Sequence, residues 1–209
     1  MGAGGFGREI LFFLESSLDQ EKNLILGFLD DNLKALEPYA CKYPILDTIQ
    51  AHIPKENIVY VMAIGKPETK LQIATILKKK KAQFMTFIHP SAIIANTTIL
   101  GEGCIVGANT VIQCDSKIGD FVAVNSNSTI GHDVTIGDGC SINGHCDITG
   151  NCIIGKGVLF GSRSGTIPYV KIGDFCTIGA GSVVLKTISS SNTIIFGNPA
   201  KKIFTKNPI

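Results

Sequence analysis

The sequence predicts a mixed fold, in which a small α/β domain over residues 1–87 precedes a solenoid of short strands over residues 88–209. From Ile88 to Val184 every sixth position is apolar, at sixteen of the seventeen positions. Before Ile88 this period is absent, and helical and strand-like stretches alternate instead. A six-residue unit is too short for a pair of helices, and it fits one short strand and one bend.

The composition restricts the class of protein. The chain has 209 residues, of which 44% are hydrophobic and 17% charged, and these values are ordinary for a soluble globular protein. Nineteen basic and seventeen acidic residues give a net charge of +2, without the basic stripe that nucleic-acid binding needs. No apolar run is long enough for a membrane span, and no signal peptide is recognisable. The sequence therefore predicts a cytoplasmic protein with no membrane or nucleic-acid partner.

The first 87 residues are typical of a small Rossmann-like domain, because short apolar runs alternate with helical patterns. The acidic pair Asp30-Asp31 ends the first apolar run, and Ile64-Gly65 ends the second. The predicted elements are a helix over residues 8–18, a strand over 24–29, a strand over 59–63 and a helix over 67–80.

A glycine-rich loop, Gly2-Ala-Gly-Gly-Phe-Gly7, opens the first predicted helix. Free backbone N–H groups at a helix N-terminus bind phosphate, and an acidic residue after the next strand can hold a ribose hydroxyl. The predicted nucleotide-binding residues are Ala3, Gly4, Gly5, Asp30, Asp31 and Gly65. The alternative is that these glycines only pack the helix against the sheet. Such a motif ordinarily follows a strand, and only Met1 precedes it here, so we expect the natural chain to begin about six apolar residues earlier.

The six-residue repeat has two further regular positions. Glycine follows the large apolar residue in nine units, where the backbone bends sharply or approaches a neighbour closely. A small or β-branched residue comes four positions after the apolar one. Five of the seven cysteines occupy this second position, which predicts interior packing and no chemical role for them. They are Cys104, Cys140, Cys146, Cys152 and Cys176.

This repeat resembles that of the hexapeptide acyltransferases, whose fold is a left-handed parallel β-helix. The stretch from Val124 to Asp138, which contains Gly131-His132-Asp133, resembles the catalytic segment of bacterial sialic acid O-acetyltransferases and UDP-amino-sugar N-acetyltransferases. The resemblance extends from the glycine loop to Phe196-Gly-Asn-Pro-Ala-Lys-Lys202. It implies coils of three units each, a little under six in all, and a homotrimer with active sites between neighbouring prisms.

The resemblance also implies the chemistry, an acetyl transfer from acetyl-CoA to an amine or hydroxyl of a sugar or a UDP-linked amino sugar. His132 stands where the family has its general base, and an imidazole can take a proton near neutral pH. Asp133 stands where the family has an acidic residue that orients the ring, although some relatives have Glu there. Direct attack on the thioester needs no acyl-enzyme and no metal.

Further site residues follow only from matching the family's positions. Asn125 matches a family position that contacts the acceptor. It also stacks one coil below Asn143, so a structural asparagine ladder is an equal alternative. Ser141 occupies the position of a second histidine that some relatives carry near the thioester. The remaining residues expected along acetyl-CoA are Ser162, Ala180, Lys186 and Lys201, and the two lysines could equally be solvated surface residues.

Other roles for the repeat are less well supported. A zinc carbonic anhydrase needs three converging histidines, and His132 and His145 lack a suitable third. His145 is more typical of a surface residue, and His52 and His89 are predicted to be structural. A nucleotidyltransferase needs a much larger N-terminal domain. A noncatalytic binding solenoid for nucleotide-sugars stays open as the alternative, although it gives no reason for a His-Asp pair at an outward position.

Overall fold

The computed structural model describes residues 1–17 and 24–206, which form a small α/β domain followed by a three-sided prism of parallel strands. In the first domain, helices α1 (Gly5–Ser17) and α2 (Pro67–Lys79) accompany four short strands. These strands are β1 (Phe28–Leu29), β2 (Ile45–Asp47), β3 (Val59–Tyr60) and β4 (Gln83–Phe84).

The predicted elements of the first domain are confirmed in kind but differ in length. Helix α1 begins at Gly5 inside the glycine loop, and its predicted end at Leu18 lies outside the described residues. The strands predicted over 24–29 and 59–63 shrink to two residues each, and β2 was not predicted. Two-residue strands carry too little periodicity to be recognised in a sequence.

Residues 1–3 join the two strand pairs of this domain. The Gly2 amide donates to the Leu29 carbonyl, while Met1 exchanges hydrogen bonds with Val61 and Ala63 in the pattern of a parallel ladder. The resulting order is β2, β1, residues 1–3, β3 and β4. This is the strand order of a Rossmann-like domain, with the glycine loop at the end of its central segment.

The prism is built from strands β5 to β21 of the described chain, two residues each, with every third strand in the same sheet. Face 1 contains Phe87–Ile88, Ile105–Val106, Ala123–Val124, Ser141–Ile142, Leu159–Phe160 and Thr177–Ile178. Face 2 contains Ile93–Ile94, Val111–Ile112, Thr129–Ile130, Asp147–Ile148, Gly165–Thr166 and Val183–Val184. Face 3 contains Ile99–Leu100, Lys117–Ile118, Thr135–Ile136, Ile153–Ile154 and Lys171–Ile172. Strands β22 (Thr193–Phe196) and β23 (Lys201–Thr205) extend face 1.

One coil takes 18 residues, since Lys117 pairs with Thr135 and Ala123 with Ser141 in parallel register. The second residue of each strand points inward, and from Ile112 to Ile178 all of these residues but one are no more than 4% exposed; Thr166, at 5%, is the exception. The five cysteines predicted to be interior are also buried. Cys140 donates its thiol to the Gly155 carbonyl at 3.0 Å, and burial raises its pKa to about 12. Such thiols are packing groups with no reactivity.

The prism turns two residues after the repeating glycine and not at the glycine itself. A residue with left-handed backbone conformation recurs every six positions, as at Asn127, Asp133 and Gly139. The repeating glycines serve the close approach of successive coils instead. A Cβ added to Gly131 would lie 2.5 Å from the Gly150 amide nitrogen.

The N-terminal domain packs against face 1. Ile10 and Phe13 of α1 share a core with Phe87, Ile105 and Ala123, so the outward side chains of these three face 1 residues are buried. Lys78, near the C-terminal end of α2, also contacts the prism. Lys78 pairs with Glu102 at 2.6 Å and with Asp120 at 3.0 Å. The predicted class, a small Rossmann-like domain followed by a left-handed parallel β-helix, is confirmed.

Candidate active site

His132 and Asp133 stand at the corner between faces 2 and 3, immediately after strand Thr129–Ile130. Both side chains are about half exposed, at 52% and 54%. The Asp133 Oδ2 lies 2.7 Å from Nδ1 of His132. Asp133 adopts the left-handed conformation, with φ of 57°, and this turn lets two consecutive side chains meet. With the carboxylate accepting from Nδ1–H, the lone pair of the ring is on Nε2, which is the arrangement of an oriented general base.

The next coil leaves room for the imidazole. Gly150 lies 18 residues after His132, so it occupies the equivalent position one coil further on. A Cβ on Gly150 would lie 2.6 Å from Nε2 and 2.8 Å from Cε1 of His132, closer than packed atoms approach. The ring therefore lies directly against the Gly150 backbone. Gly150 was not predicted from the sequence, although adding the coil length to position 132 identifies it.

The glycines of the first domain divide into two groups. A Cβ on Gly7 would lie 1.9 Å from the Gly2 carbonyl oxygen, so this glycine is required for packing. At Gly4, Gly5 and Gly65 an added Cβ would meet no atom within 4 Å. Packing therefore accounts for Gly7 but not for the three predicted binding residues, which face open space at the start of α1. Open backbone at a helix N-terminus is where an anion binds.

We expect substitutions in these two groups to have opposite effects. Gly7→Ala is expected to destabilise the fold by more than about 3 kcal/mol, because the methyl group overlaps backbone. Gly65→Ala should leave the free energy of unfolding within about 0.5 kcal/mol of the wild type, and weaken binding of UDP or GDP several-fold. Denaturant unfolding and titration calorimetry measure the two quantities. A loss of stability in Gly65→Ala as large as in Gly7→Ala would contradict the assignment and show a packing role.

The two acidic residues predicted to contact a ribose accept hydrogen bonds from backbone amides in this structure. Asp30 accepts from the Ala3 amide at 2.7 Å and from the Asn32 amide at 2.8 Å. Asp31 accepts from the Ile49 amide at 2.8 Å. Asp30 thus fixes the shape of the glycine loop from the neighbouring strand, and Asp31 fixes the turn after β2. Ala3 itself is buried, with its amide turned to Asp30.

A pocket of about 200 Å³, the interdomain pocket, lies between the two domains. It joins the start of α1 to face 1 and to the end of β3. Its lining residues are Phe6, Glu9, Gly65, Ala123, Asn125, Ser141, Ile142 and Asn143. Three predicted site residues, Gly65, Asn125 and Ser141, are therefore brought together. Phe6, Glu9 and the partner of Ser141, Lys70, were not predicted.

Within one chain His132 does not reach this pocket. The pocket opens on face 1, whereas His132 lies at the corner between faces 2 and 3, which is opposite face 1 in a three-sided prism. The site predicted from sequence is thus split into two halves on opposite sides of the prism.

The remaining predicted residues are exposed. Ser162 and Ala180 stack 18 residues apart near the corner between faces 1 and 2. Lys186 follows the last strand of face 2, and Lys201 begins β23. The other histidines have separate surroundings. His52 bonds to the Tyr60 hydroxyl at 2.8 Å, His89 packs edge-on to Phe13, and His145 is exposed on the corner near Ser162.

The described residues contain neither a metal-binding cluster nor a membrane-spanning helix. Among residues 1–17 and 24–206, no group of three or more His, Cys, Asp or Glu side chains is arranged to hold a metal ion. In the same ranges, neither helix is long and apolar enough to cross a membrane.

Comparison with protein families divides the chain as its fold does. Residues 1–77 match the PglD N-terminal domain. Residues 91–114 and 152–186 match the hexapeptide repeat of succinyl-transferase, and residues 115–150 match the bacterial transferase hexapeptide. The two parts of the chain thus match the hexapeptide-repeat acetyltransferase family that the sequence resembles, with a PglD N-terminal domain followed by transferase hexapeptide repeats.

Individual relatives are similar at moderate identity. The chain is 29% identical over 112 residues to UDP-N-acetylbacillosamine N-acetyltransferase of Bacillus subtilis, covering 52% of this chain and 50% of that one. It is 28% identical over 127 residues to GDP-perosamine N-acetyltransferase of Escherichia coli O157:H7, covering 59% and 57%. The matched regions thus span little more than half of these curated relatives.

A solved structure is similar over almost its whole length. The acetyltransferase domain of PglB from Neisseria gonorrhoeae has a TM-score of 0.87 and 26% identity, covering 97% of each chain. The same domain is also known in complex with acetyl coenzyme A.

Proposed function

We propose that this protein transfers an acetyl group from acetyl-CoA to the amine of a nucleotide-linked amino sugar, with His132 as the general base. The observation that carries the proposal is the 2.7 Å contact between His132 Nδ1 and Asp133 Oδ2 at an outward corner. A noncatalytic prism has no need of a half-exposed imidazole whose tautomer is fixed by a carboxylate. The two curated relatives are named for N-acetyl transfer to nucleotide-linked sugars, which favours an amine over a hydroxyl.

The proposed reaction is a direct transfer. The amine nitrogen of the sugar attacks the thioester carbonyl carbon, and Nε2 of His132 takes the proton that the nitrogen loses. Asp133 stabilises the imidazolium that forms. Collapse of the tetrahedral intermediate breaks the carbon–sulfur bond, and the proton on Nε2 passes to the departing CoA thiolate. The products are the N-acetylated sugar and free CoA, and His132 returns to its starting state.

The acceptor site in this proposal is the open space over Gly4, Gly5 and Gly65 together with the interdomain pocket. Nucleotide phosphates at the start of α1 satisfy its free N–H groups. The sugar then points over Gly65 towards Asn125. Ser162, Ala180, Lys186 and Lys201 remain candidates for contacts to CoA, as the resemblance implies.

A homotrimer joins the two halves of the site. Because His132 faces away from the interdomain pocket of its own chain, it acts on an acceptor held by a neighbouring chain. Exposed apolar side chains on the uncovered faces support contacts between prisms. Ile93 is 67% exposed, Ile99 62% and Ile153 45%.

Co-expression of two inactive variants is expected to restore part of the activity. One chain carries His132→Ala and the other carries Gly65→Trp, so that mixed trimers contain one interface with both halves intact. The control is a protein in which every chain carries both substitutions, and it should stay inactive. Activity in the mixture no higher than in the control, with mixed trimers demonstrated by differential tags, would contradict a site shared between chains.

An acceptor screen tests the proposed function directly. Release of the CoA thiol from acetyl-CoA is followed with GDP-perosamine, with a UDP-linked amino sugar and with free sialic acid. The proposal expects turnover with a nucleotide-linked amino sugar and none with sialic acid. Turnover of sialic acid alone would overturn the amine and nucleotide parts of the proposal. Nucleotide-sugar binding without any thiol release would favour the noncatalytic alternative.

A further inference from the structure

Lys70 is a buried cation at the interface of the two domains. It belongs to the inward stripe of α2, together with Ile73, Ala74 and Leu77, and its side chain is 0% exposed. Its ammonium donates to the Cys140 carbonyl at 3.0 Å and to the Ser141 hydroxyl at 2.8 Å. Both acceptors are uncharged. Burial lowers the pKa of Lys70 to about 8, and the ammonium still predominates at neutral pH.

A buried ammonium without a carboxylate partner opposes folding, because hydrogen bonds to neutral groups repay only part of its lost hydration. An apolar side chain at the same position would satisfy the interface at least as well. The groups that face Lys70 from the prism are the thiols of Cys140 and Cys104, whose pKa values burial raises to about 12 and 11, so neither supplies a negative charge near neutral pH. The charge at this position therefore points to a role other than stability.

The hydrogen bond to Lys70 fixes the direction of the Ser141 hydroxyl. A serine oxygen that accepts from an ammonium must send its own proton elsewhere. Ser141 is 3% exposed, and the open space beside it is the interdomain pocket. Its proton can therefore be donated into that pocket, and the neighbouring positive charge strengthens it as a donor.

The interdomain pocket is the right size for part of a ligand only. About 200 Å³ is below the roughly 300–1,000 Å³ of pockets that enclose a drug-sized molecule, so a whole nucleotide-sugar does not fit. A single sugar ring does. Its polar walls offer the carboxylate of Glu9 and the amides of Asn125 and Asn143, which suit hydroxyl groups.

We propose that Ser141 donates a hydrogen bond to an oxygen of the acceptor's sugar ring, and that Lys70 is a positioning residue that holds Ser141 in the donating orientation. This inference rests on the proposed function, and it names the sugar-recognising group of that same site. It differs from the role near the thioester that the family resemblance implies for Ser141.

Titration calorimetry on the full-length protein tests the inference with four probes, GDP-perosamine, a UDP-linked amino sugar, GDP and UDP. Lys70→Met and Ser141→Ala should each lower the affinity for the nucleotide-linked sugar that wild type binds by about tenfold or more. The affinity for the matching free nucleotide should stay unchanged. Lys78→Met is the matched control, since Lys78 lies on the same helix in an exposed ion pair. It should bind all four probes as wild type does.

A pH series separates positioning from mere packing. When Lys70 loses its proton, the Ser141 hydroxyl can donate to the amine and no longer to the sugar. Affinity of the wild type for the sugar should therefore fall towards that of Lys70→Met between pH 7 and 9. Glu9 and the sugar amine titrate equally in both proteins, so the ratio of the two affinities isolates Lys70.

The outcomes distinguish this inference from the proposed function. Unchanged sugar affinity in folded Lys70→Met and Ser141→Ala overturns the inference alone. An equal loss of affinity for the nucleotide-linked sugar and for the free nucleotide also overturns the inference, because such a loss indicates that the N-terminal domain is displaced. A wild-type protein that binds none of the four probes overturns the proposed function, and this inference with it.

Discussion

Replacing His132 with Ala is expected to lower kcat for acetyl transfer by roughly 10²- to 10⁴-fold, the contribution of a positioned general base. The side chain is half exposed and at a corner, so the substitution should change the free energy of unfolding by less than about 1 kcal/mol. The KM for both substrates should change little, because the base acts on the proton of the attacking amine and not on substrate binding.

Asp133→Asn is expected to have a smaller effect in the same direction. An amide can still bond to the ring, but it can present a donor to Nδ1 and so favour the wrong tautomer, and it no longer stabilises the imidazolium. His145→Ala is the control, since this exposed histidine occupies another corner of the prism. Steady-state rates of thiol release measure all three variants. A His132→Ala protein with wild-type kcat would remove His132 from the mechanism.

Gly150→Ala is expected to lower kcat by tenfold or more without unfolding the prism. The new methyl would lie 2.6 Å from Nε2 of His132, so the ring must rotate and break its 2.7 Å contact with Asp133. Because the displaced group is the end of a half-exposed side chain, the free energy of unfolding should change by less than about 1 kcal/mol. The substitution therefore tests the orientation of the base while the base is still present.

Gly144→Ala is the matched control for Gly150→Ala. Gly144 holds the same position in the preceding six-residue unit, before His145, and an added Cβ there meets only the Ser126 carbonyl oxygen at 3.2 Å. It should retain wild-type kcat. If both variants lost activity equally, a general distortion of the coil would explain the result and the role of Gly150 would be wrong.

The prism could be predicted from sequence because its packing repeats. Every coil buries the same positions, so residues such as Ile136 and Ile154 are specified by the period alone. The period does not say which face is covered. Ile105 and Ile99 hold equivalent outward positions, yet Ile105 is 1% exposed under the N-terminal domain and Ile99 is 62% exposed. That difference depends on contacts between distant segments.

The candidate site was predictable to a similar degree. Local motifs predict His132, Asp133 and the glycine loop. The structure adds the hydrogen bond between His132 and Asp133. Lys70 was not predictable, because its partners Cys140 and Ser141 are 70 and 71 residues away. The split between His132 and the interdomain pocket depends on the packing of the N-terminal domain against face 1, which no local motif specifies.

The central claim is that His132 catalyses acetylation of a nucleotide-linked amino sugar, and identification of the product by mass spectrometry tests it most directly. Purified wild type and His132→Ala are incubated in parallel with acetyl-CoA and the amino sugars of the acceptor screen. We expect a nucleotide-sugar carrying one additional acetyl group on nitrogen with wild type, and at least a hundredfold less of it with His132→Ala. Equal yields from the two proteins, or no acetylated nucleotide-sugar from folded wild type, would contradict it.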